Sequence, residues 1–328
     1  MKIGVFGAGH LGKIHLNCLK MIPEWELMGF YDLSEETRQK VSAETGLTAY
    51  DSAEKLIDDC DAIDIVTNTP SHYEIAGKAL AKGRHVFIEK PVTATPEEAH
   101  KLRDLVNRVD RIVQVGHVER FNPAYLAVHD RIGRPLFIEG HRLSPYKVRG
   151  NDISVIMDLM IHDLDLVLKL MGRPVRSVHA NGVAVISDTP DICHARIAFE
   201  GGGVVNLTAS RLSLKPVRKM RIFQRDAYLS MDFLEREAQL VHLMDENAEV
   251  PEKSFVFPME LPKRTGKIVI EQPETPEVNA IVEELRSFYR SVAEGEEVAV
   301  TLDDATRALE LAFEIERVIN EENKLYEE

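Results

Sequence analysis

Lys2-Ile3-Gly4-Val5-Phe6-Gly7-Ala8-Gly9-His10-Leu11-Gly12 opens the chain, and Asp32 stands twenty residues beyond Gly12. An apolar run (Ile3, Val5, Phe6) leads into the glycines, and a helical pattern (Ile14, Leu16, Leu19, Met21, Ile22) follows them. A second apolar run, Leu27-Met28-Gly29-Phe30-Tyr31, then ends in Asp32. Strand, glycine turn, helix, strand and terminal acid in this register predict a βαβ unit that binds a dinucleotide. Gly7 permits the tight turn, Gly9 lets the backbone approach a pyrophosphate, and Gly12 lets helix and strand pack closely. Free N–H groups at the helix start, with the helix dipole, attract the anion. Gly7, Gly9, His10, Leu11, Gly12 and Asp32 are therefore the first cofactor-binding candidates. The plain alternative is a chance cluster of glycines in a strand-to-helix turn.

The same grammar continues outward. Residues 62–67 read as a buried strand, 73–81 as a helix, 85–88 and 112–115 as further strands. Thr95-Pro96-Glu97-Glu98 is a helix start, with a Thr cap, Pro at the first position and acids in the first turn. This alternation predicts a parallel sheet covered on both faces, a Rossmann domain over 1–121. Beyond Pro123 the pattern changes to one long helix, about 153–171, and then clustered strands. These are predicted at 175–186, 192–200, 203–211, 218–224, 228–232 and 239–243, with Glu200-Gly201-Gly202-Gly203 as a hairpin turn. Residues 245–276, rich in proline, read as loops, and two amphipathic helices follow at about 277–294 and 301–320. The expected fold is an α/β Rossmann domain plus an α+β domain, 122–328, with an open, mostly antiparallel sheet and the C-terminal helices.

Composition bounds the partners. The chain has 328 residues, which suits two domains, and a net charge of −14. So acidic a surface argues against nucleic acid or an anionic membrane as partner. No apolar run reaches the roughly 18 residues of a membrane helix, and the immediate strand leaves no room for a signal peptide. Cys18, Cys60 and Cys193 are far apart and odd in number, which fits a reducing cytoplasm with no disulfide framework and no zinc spacing.

Four groups of residues could carry chemistry. Glu89-Lys90-Pro91 follows the strand at 85–88, and strand ends face the ligand crevice in a doubly wound sheet. A lysine there can bond a substrate hydroxyl or help move its proton; otherwise it is a surface lysine before a turn. Asp158 and His162 are four apart and share one helical face, with Asp165 near it. A carboxylate beside an imidazole orients it and raises its basicity, as a general base requires; otherwise this is a solvated helix N-terminus. Gly116-His117-Val118-Glu119-Arg120-Phe121-Asn122-Pro123 lies at the domain junction, where Arg120 and Asn122 either line a cleft or brace it. No acid lies between Glu200 and Asp226, whereas Arg211, Lys215, Arg218, Lys219, Arg221 and Arg225 do. That basic island suits a phosphorylated substrate, or equally a solvated sheet face or subunit contact.

Gly7–Gly12, Thr69-Pro70-Ser71-His72, Glu89-Lys90-Pro91 and Asp158-x-x-x-His162-x-x-Asp165 together resemble, in order and spacing, the Gfo/Idh/MocA oxidoreductases. The resemblance spans the whole chain. It implies a Rossmann domain, an open-faced sheet used for oligomerisation into a homodimer or homotetramer, and nicotinamide-dependent redox at a sugar-type carbinol. It also implies that Thr69, Pro70, His72, Glu89 and Lys90 serve the cofactor, and that Lys90, Asp158 and His162 serve catalysis and substrate. The chain departs from the glycine-rich form of the motif, with Val155-Ile156-Met157 before Asp158 and Met160 before His162. A narrower resemblance rests on residues 116–123, Arg142-Leu143-Ser144-Pro145 and Asp158-Leu159-Met160-Ile161-His162-Asp163. These are similar to a subgroup containing UDP-N-acetylglucosamine 3-dehydrogenases.

The reading that follows is an NAD(P)-dependent dehydrogenase that oxidises one hydroxyl of a sugar or nucleotide sugar to a ketone. His162, oriented by Asp158, takes the proton, Lys90 bonds the same oxygen, and Arg120, Asn122, Arg211 and Arg218 are substrate-binding candidates. Asp32 accepts from the adenosine ribose and repels a 2′-phosphate, which favours NAD over NADP. No metal is expected. Two alternatives remain at this point: a non-catalytic sensor of cofactor and sugar, and a reductase of a non-sugar ligand such as a linear tetrapyrrole.

Overall fold

The computed structural model describes residues 1–146, 153–261 and 264–324. The chain forms two compact units, Met1–Val118 with Val278–Glu310, and Glu119–Glu277 with Leu311–Glu328. In the first, β1 (Lys2–Phe6), α1 (His10–Leu19), β2 (Glu26–Tyr31), α2 (Glu35–Thr45) and α3 (Ala53–Asp59) are followed by β3 (Ala62–Ile65) and α4 (His72–Ala81). Then come β4 (His85–Glu89), α5 (Pro96–Val106) and β5 (Val113–Gly116). The five strands are parallel in the order β2-β1-β3-β4-β5, a doubly wound sheet, and every residue of β3, β5 and Ile3–Phe6 is buried. The start of α5 is built as its sequence predicts: Thr95 accepts from the Glu98 N–H at 3.3 Å, and the Glu98 carboxylate accepts from the Ala94 N–H at 3.1 Å.

The second unit begins with α6 (Pro123–Leu126) and β6 (Phe137–Leu143). A single π-helical turn, Ile156–Met160, runs into α7 (Ile161–Met171). Eight strands follow: β7 (Val175–Val183), β8 (Ile192–Phe199), β9 (Val204–Ser210), β10 (Val217–Phe223), β11 (Ala227–Asp232), β12 (Glu237–Asp245), β13 (Phe255–Leu261) and β14 (Arg264–Glu271). They join β6 in one sheet of order β13-β14-β12-β11-β10-β6-β9-β8-β7, antiparallel except between β6 and β9. Gly201, Gly202 and Gly203 all have positive φ (67°, 94° and 98°) in the turn between β8 and β9, where no other residue type fits well.

The second unit departs from the sequence reading. β6, unread in the sequence, is a central strand; its alternation of Ile138, Gly140 and Arg142 on the covered face hides a glycine and a charge where apolar residues are expected. Residues 245–276 hold β13 and β14 rather than only loops. Pro258 suggested otherwise, but β13 is the sheet edge, where a missing N–H is harmless. The helix predicted over 153–171 is interrupted by the π-turn, a feature frequent at functional sites.

Two helices end the chain, α8 (Ala280–Ala293) and α9 (Leu302–Lys324). The capping box of Thr301 and Asp304 forms, the Asp304 N–H donating to Thr301 Oγ1 at 3.1 Å. Whereas the sequence grouped α8 with the second domain, its Val282, Leu285 and Phe288 share the core of Ile3, Val5 and Phe87 in the first unit. Trp25 Nε1 donates to the Leu285 carbonyl at 3.2 Å, and Gln114 Nε2 to that of Glu284 at 3.1 Å. An amphipathic face shows that a helix needs a core, not which core it joins.

Candidate active site

The glycine turn is shaped by what it excludes. A Cβ on Gly7 (φ +93°) would lie 2.6 Å from the Val66 carbonyl oxygen, and one on Gly12 would lie 2.1 Å from that of Gly7. Both neighbours are backbone, so neither position tolerates a side chain. Gly9 has nothing within 4 Å on that side, which leaves the approach to the start of α1 open. His10 and Leu11 begin α1 and are exposed. Asp32 closes the turn from the other side: Oδ2 accepts from the Ala8 N–H at 2.8 Å, and Oδ1 from the Ser34 N–H at 2.9 Å. A cavity of about 680 Å³ is lined by Gly7, Gly9, Tyr31, Asp32 and Pro70, among others. The glycine cradle, open helix start and carboxylate fit an NAD pyrophosphate and ribose.

The segment after β4 is held from behind by two histidines. His72, buried at the start of α4, places Nδ1 2.9 Å from the Pro91 carbonyl and Nε2 3.0 Å from that of Thr67. Burial holds its pKa below the ordinary value, although those carbonyls favour the charged form. The residue thus braces the turn of Thr69 and Pro70 against the loop after Lys90. Glu89 is nearly buried, and its Oε2 accepts from the Lys90 N–H at 3.1 Å. Its Oε1 lies 3.1 Å from His15 Nε2, and His15 Nδ1 lies 3.0 Å from Asp64 Oδ2. The sequence reading passed over His15 and Asp64. The available signal was Asp64 itself, an acid inside the fully buried strand Ala62-Ile63-Asp64-Ile65.

In the second unit, Asp158 lies in the π-turn and His162 in the first turn of α7, both partly buried. Ion pairs fix the rotation of α7. Arg142 of β6 grips Asp163 with two bonds of 2.9 and 2.7 Å and Glu119 with one of 2.8 Å. Arg120 grips Asp165 with bonds of 2.8 and 2.6 Å. Burial alone would lower the Arg142 pKa, but Asp163 and Glu119 outweigh it, so the guanidinium stays charged. Removing one partner of such a buried pair costs about 3–5 kcal/mol. Asp163 adjoins His162, so these pairs set where the imidazole starts.

Three substrate-binding candidates have partners inside the unit instead. Arg120 is committed to Asp165. Asn122 caps α6, its Oδ1 accepting from the Ala124 N–H at 3.0 Å while Nδ2 donates to Glu119 and to the Phe233 carbonyl. Arg211 is buried, donates to the Ile153 carbonyl at 2.5 Å and lies 3.6 Å from Asp191. Their sequence neighbourhood is polar, but polarity does not separate a ligand contact from an internal brace. Arg218 is held more loosely: it lies 3.8 Å from Glu119, its side chain is 47% exposed, and it sits on the face of β10 that carries Met220 and Ile222. Lys219 and Arg221 point to the opposite face, paired with Asp232 and Glu139, so strand alternation splits the basic island. Among the described residues no group of three His, Cys, Asp or Glu could hold a metal ion, and no helix is long and apolar enough to cross a membrane.

Comparisons with known proteins agree with this geometry. Residues 1–117 match the model of an oxidoreductase family with an NAD-binding Rossmann fold, and residues 126–229 match the GFO/IDH/MocA C-terminal domain. The chain is 40% identical over 243 residues to UDP-N-acetylglucosamine 3-dehydrogenase of Acidithiobacillus ferrooxidans, covering 74% of this chain and 77% of that protein. A solved structure of that enzyme superposes with a TM-score of 0.87 at 34% identity and covers 97% of both chains. Myo-inositol 2-dehydrogenase of Thermotoga maritima is 25% identical across 99% of this chain and 98% of its own. The chain, with its glycine cradle, its carboxylate at the end of β2 and both matching domains, belongs to the Gfo/Idh/MocA oxidoreductase family.

Proposed function

We propose that this protein is an NAD-dependent dehydrogenase of a nucleotide sugar, oxidising the C3 hydroxyl of UDP-N-acetylglucosamine to a ketone. The observation that carries the reading is the 40% identity, across 74% of the chain, to an enzyme named for that reaction. The first unit supports it with a cradle suited to NAD, held by Gly7, Gly9, Gly12 and Asp32. NAD supplies the hydride acceptor when bound. His162 takes the hydroxyl proton, Asp158 orients it, and Lys90 donates to the oxygen as negative charge grows there. Arg218 offers a charge-assisted hydrogen bond to the diphosphate.

Self-association into a homodimer or homotetramer belongs to the same proposal. Phe137, Phe223 and Tyr228 stand side by side across three strands, with ring centroids 5.8 and 4.9 Å apart, on the face of Lys219 and Arg221. Incubating the protein with NAD and UDP-N-acetylglucosamine, and following NADH absorbance, tests the reaction. NADH formation is expected with the nucleotide sugar and not with glucose or inositol. Equal turnover of the free sugars would remove the nucleotide part of the proposal.

A further inference from the structure

Asp64 breaks the pattern of a sealed strand, since a buried acid has no water to stabilise its charge. His15 meets it, presented by α1 three residues beyond Gly12 and wholly buried. A neutral imidazole has one N–H, yet both nitrogens of His15 face carboxylate oxygens, at 3.0 Å (Asp64) and 3.1 Å (Glu89). Nδ1 is hydrogen-bonded to Asp64, and Nε2 makes an ion-pair contact with Glu89. Burial pushes the Asp64 pKa up, and His15 pulls it back. Burial alone pulls the His15 pKa down, but Asp64 and then Glu89 outweigh it and hold it well above its ordinary value. Glu89 is held below its own ordinary value, because His15 and then Lys90 outweigh its burial. The other titratable group beside the ring is Cys18 of α1 itself, whose thiol burial pushes up.

The chain of contacts continues past Glu89. Its Oε2 accepts the main-chain N–H of Lys90. Gly116 of the neighbouring β5 leaves room for that carboxylate, since a Cβ there would lie 2.8 Å from Oε1. We propose that His15 is a positioning residue: clamped between Asp64 and Glu89, it fixes the carboxylate that anchors the main chain of Lys90. The helix that starts at the glycine cradle is thereby tied to the lysine of the chemistry. The kinetic part of this inference rests on the role given to Lys90 above.

The test uses the full chain with His15→Gln, Glu89→Gln and both together. Glutamine at position 15 keeps a donor but cannot carry the charge or engage both carboxylates. Amide exchange over residues 88–90, read by mass spectrometry, is expected to quicken by about tenfold or more in each single variant. Turnover is expected to fall by about 10²-fold, with the NAD affinity and sugar KM of His15→Gln within about threefold of wild type. The double variant should be no worse than the worse single one, because both substitutions break one clamp. Unchanged exchange at 88–90 in His15→Gln overturns the proposal, as does a loss confined to NAD affinity with kcat retained. If His15→Gln does not fold, Glu89→Gln decides by the same readings. If the wild type oxidises no sugar, the proposed reaction fails, while the exchange comparison still decides the clamp.

Discussion

Asp32 Oδ2 accepts the Ala8 N–H at 2.8 Å, so the acid that follows β2 is bonded to the middle of the turn that follows β1. A carboxylate fixed beside the cradle sits where a ribose hydroxyl is welcome and a 2′-phosphate is not. NAD is therefore expected to bind at least about tenfold more tightly than NADP, about 1.4 kcal/mol. Asp32→Ser should narrow or reverse the difference. Arg38 is the group that would work against this preference: it donates to the Asp32 carbonyl at 2.6 Å and lies over the Tyr31 ring at 5.6 Å. A wild-type preference for NADP in a fluorescence titration would sink the assignment.

Lys90→Ala and His162→Ala should each lower kcat by roughly 10²–10⁴-fold if the two residues serve the reacting oxygen. NAD affinity should hold in His162→Ala, because the cradle lies in the first unit. Steady-state kinetics with NAD binding measured separately checks this. Near-normal turnover in either variant removes that residue from the mechanism.

Arg218 and Arg211 should behave differently although both belong to the basic island. Arg218→Ala is expected to raise the KM for UDP-N-acetylglucosamine by about tenfold or more, through a lost bond of roughly 1.5–3 kcal/mol. Arg211→Ala should instead lower the melting temperature, because Arg211 is buried beside Asp191 and bonded to the Ile153 carbonyl. Equal KM values in wild type and Arg218→Ala would count against a diphosphate at that residue.

Asp191 gives the second unit an acid-sensitive element. Its Oδ2 accepts from the N–H groups of Val185, Ile186 and Ser187 at 2.8, 2.7 and 3.0 Å, and Oδ1 from the Ser187 hydroxyl at 2.7 Å. Burial pushes its pKa up, but those bonds outweigh it and hold it far below the usual carboxylate range. Its contribution is therefore fully present above the unfolded pKa of about 3.9 and fades as the pH falls toward the folded value. The melting-temperature gap between wild type and Asp191→Asn should be widest near neutral pH and shrink between about pH 5 and about pH 2. Calorimetry across that range checks it; a constant gap would falsify the linkage.

The parts legible in sequence are those where local chemistry decides. The glycines of the first turn, the Thr95 and Thr301 caps and the triple-glycine turn are each required by backbone geometry, and each stands where its residues put it. What escaped was set by distant partners. Arg120, Asn122 and Arg211 look like ligand contacts until Asp165, α6 and Asp191 are brought to them by the fold. β6 escaped because a buried Arg142 is tolerable only once Asp163 arrives from α7. The π-turn at Asp158 escaped for a further reason: periodicity places residues on a face but does not reveal a single widened turn.

The first unit draws on residues 278–310 to complete a core that begins at Ile3, with Trp25 bonded to Leu285 across most of the chain. A ribosome making this protein from its N-terminus releases the five parallel strands long before α8 exists. Until then the apolar side that α8 covers has no partner of its own. The nascent chain must carry an unfinished dinucleotide fold through synthesis of the entire nine-stranded sheet. The apolar side of the first unit is thus covered only once α8 has been made.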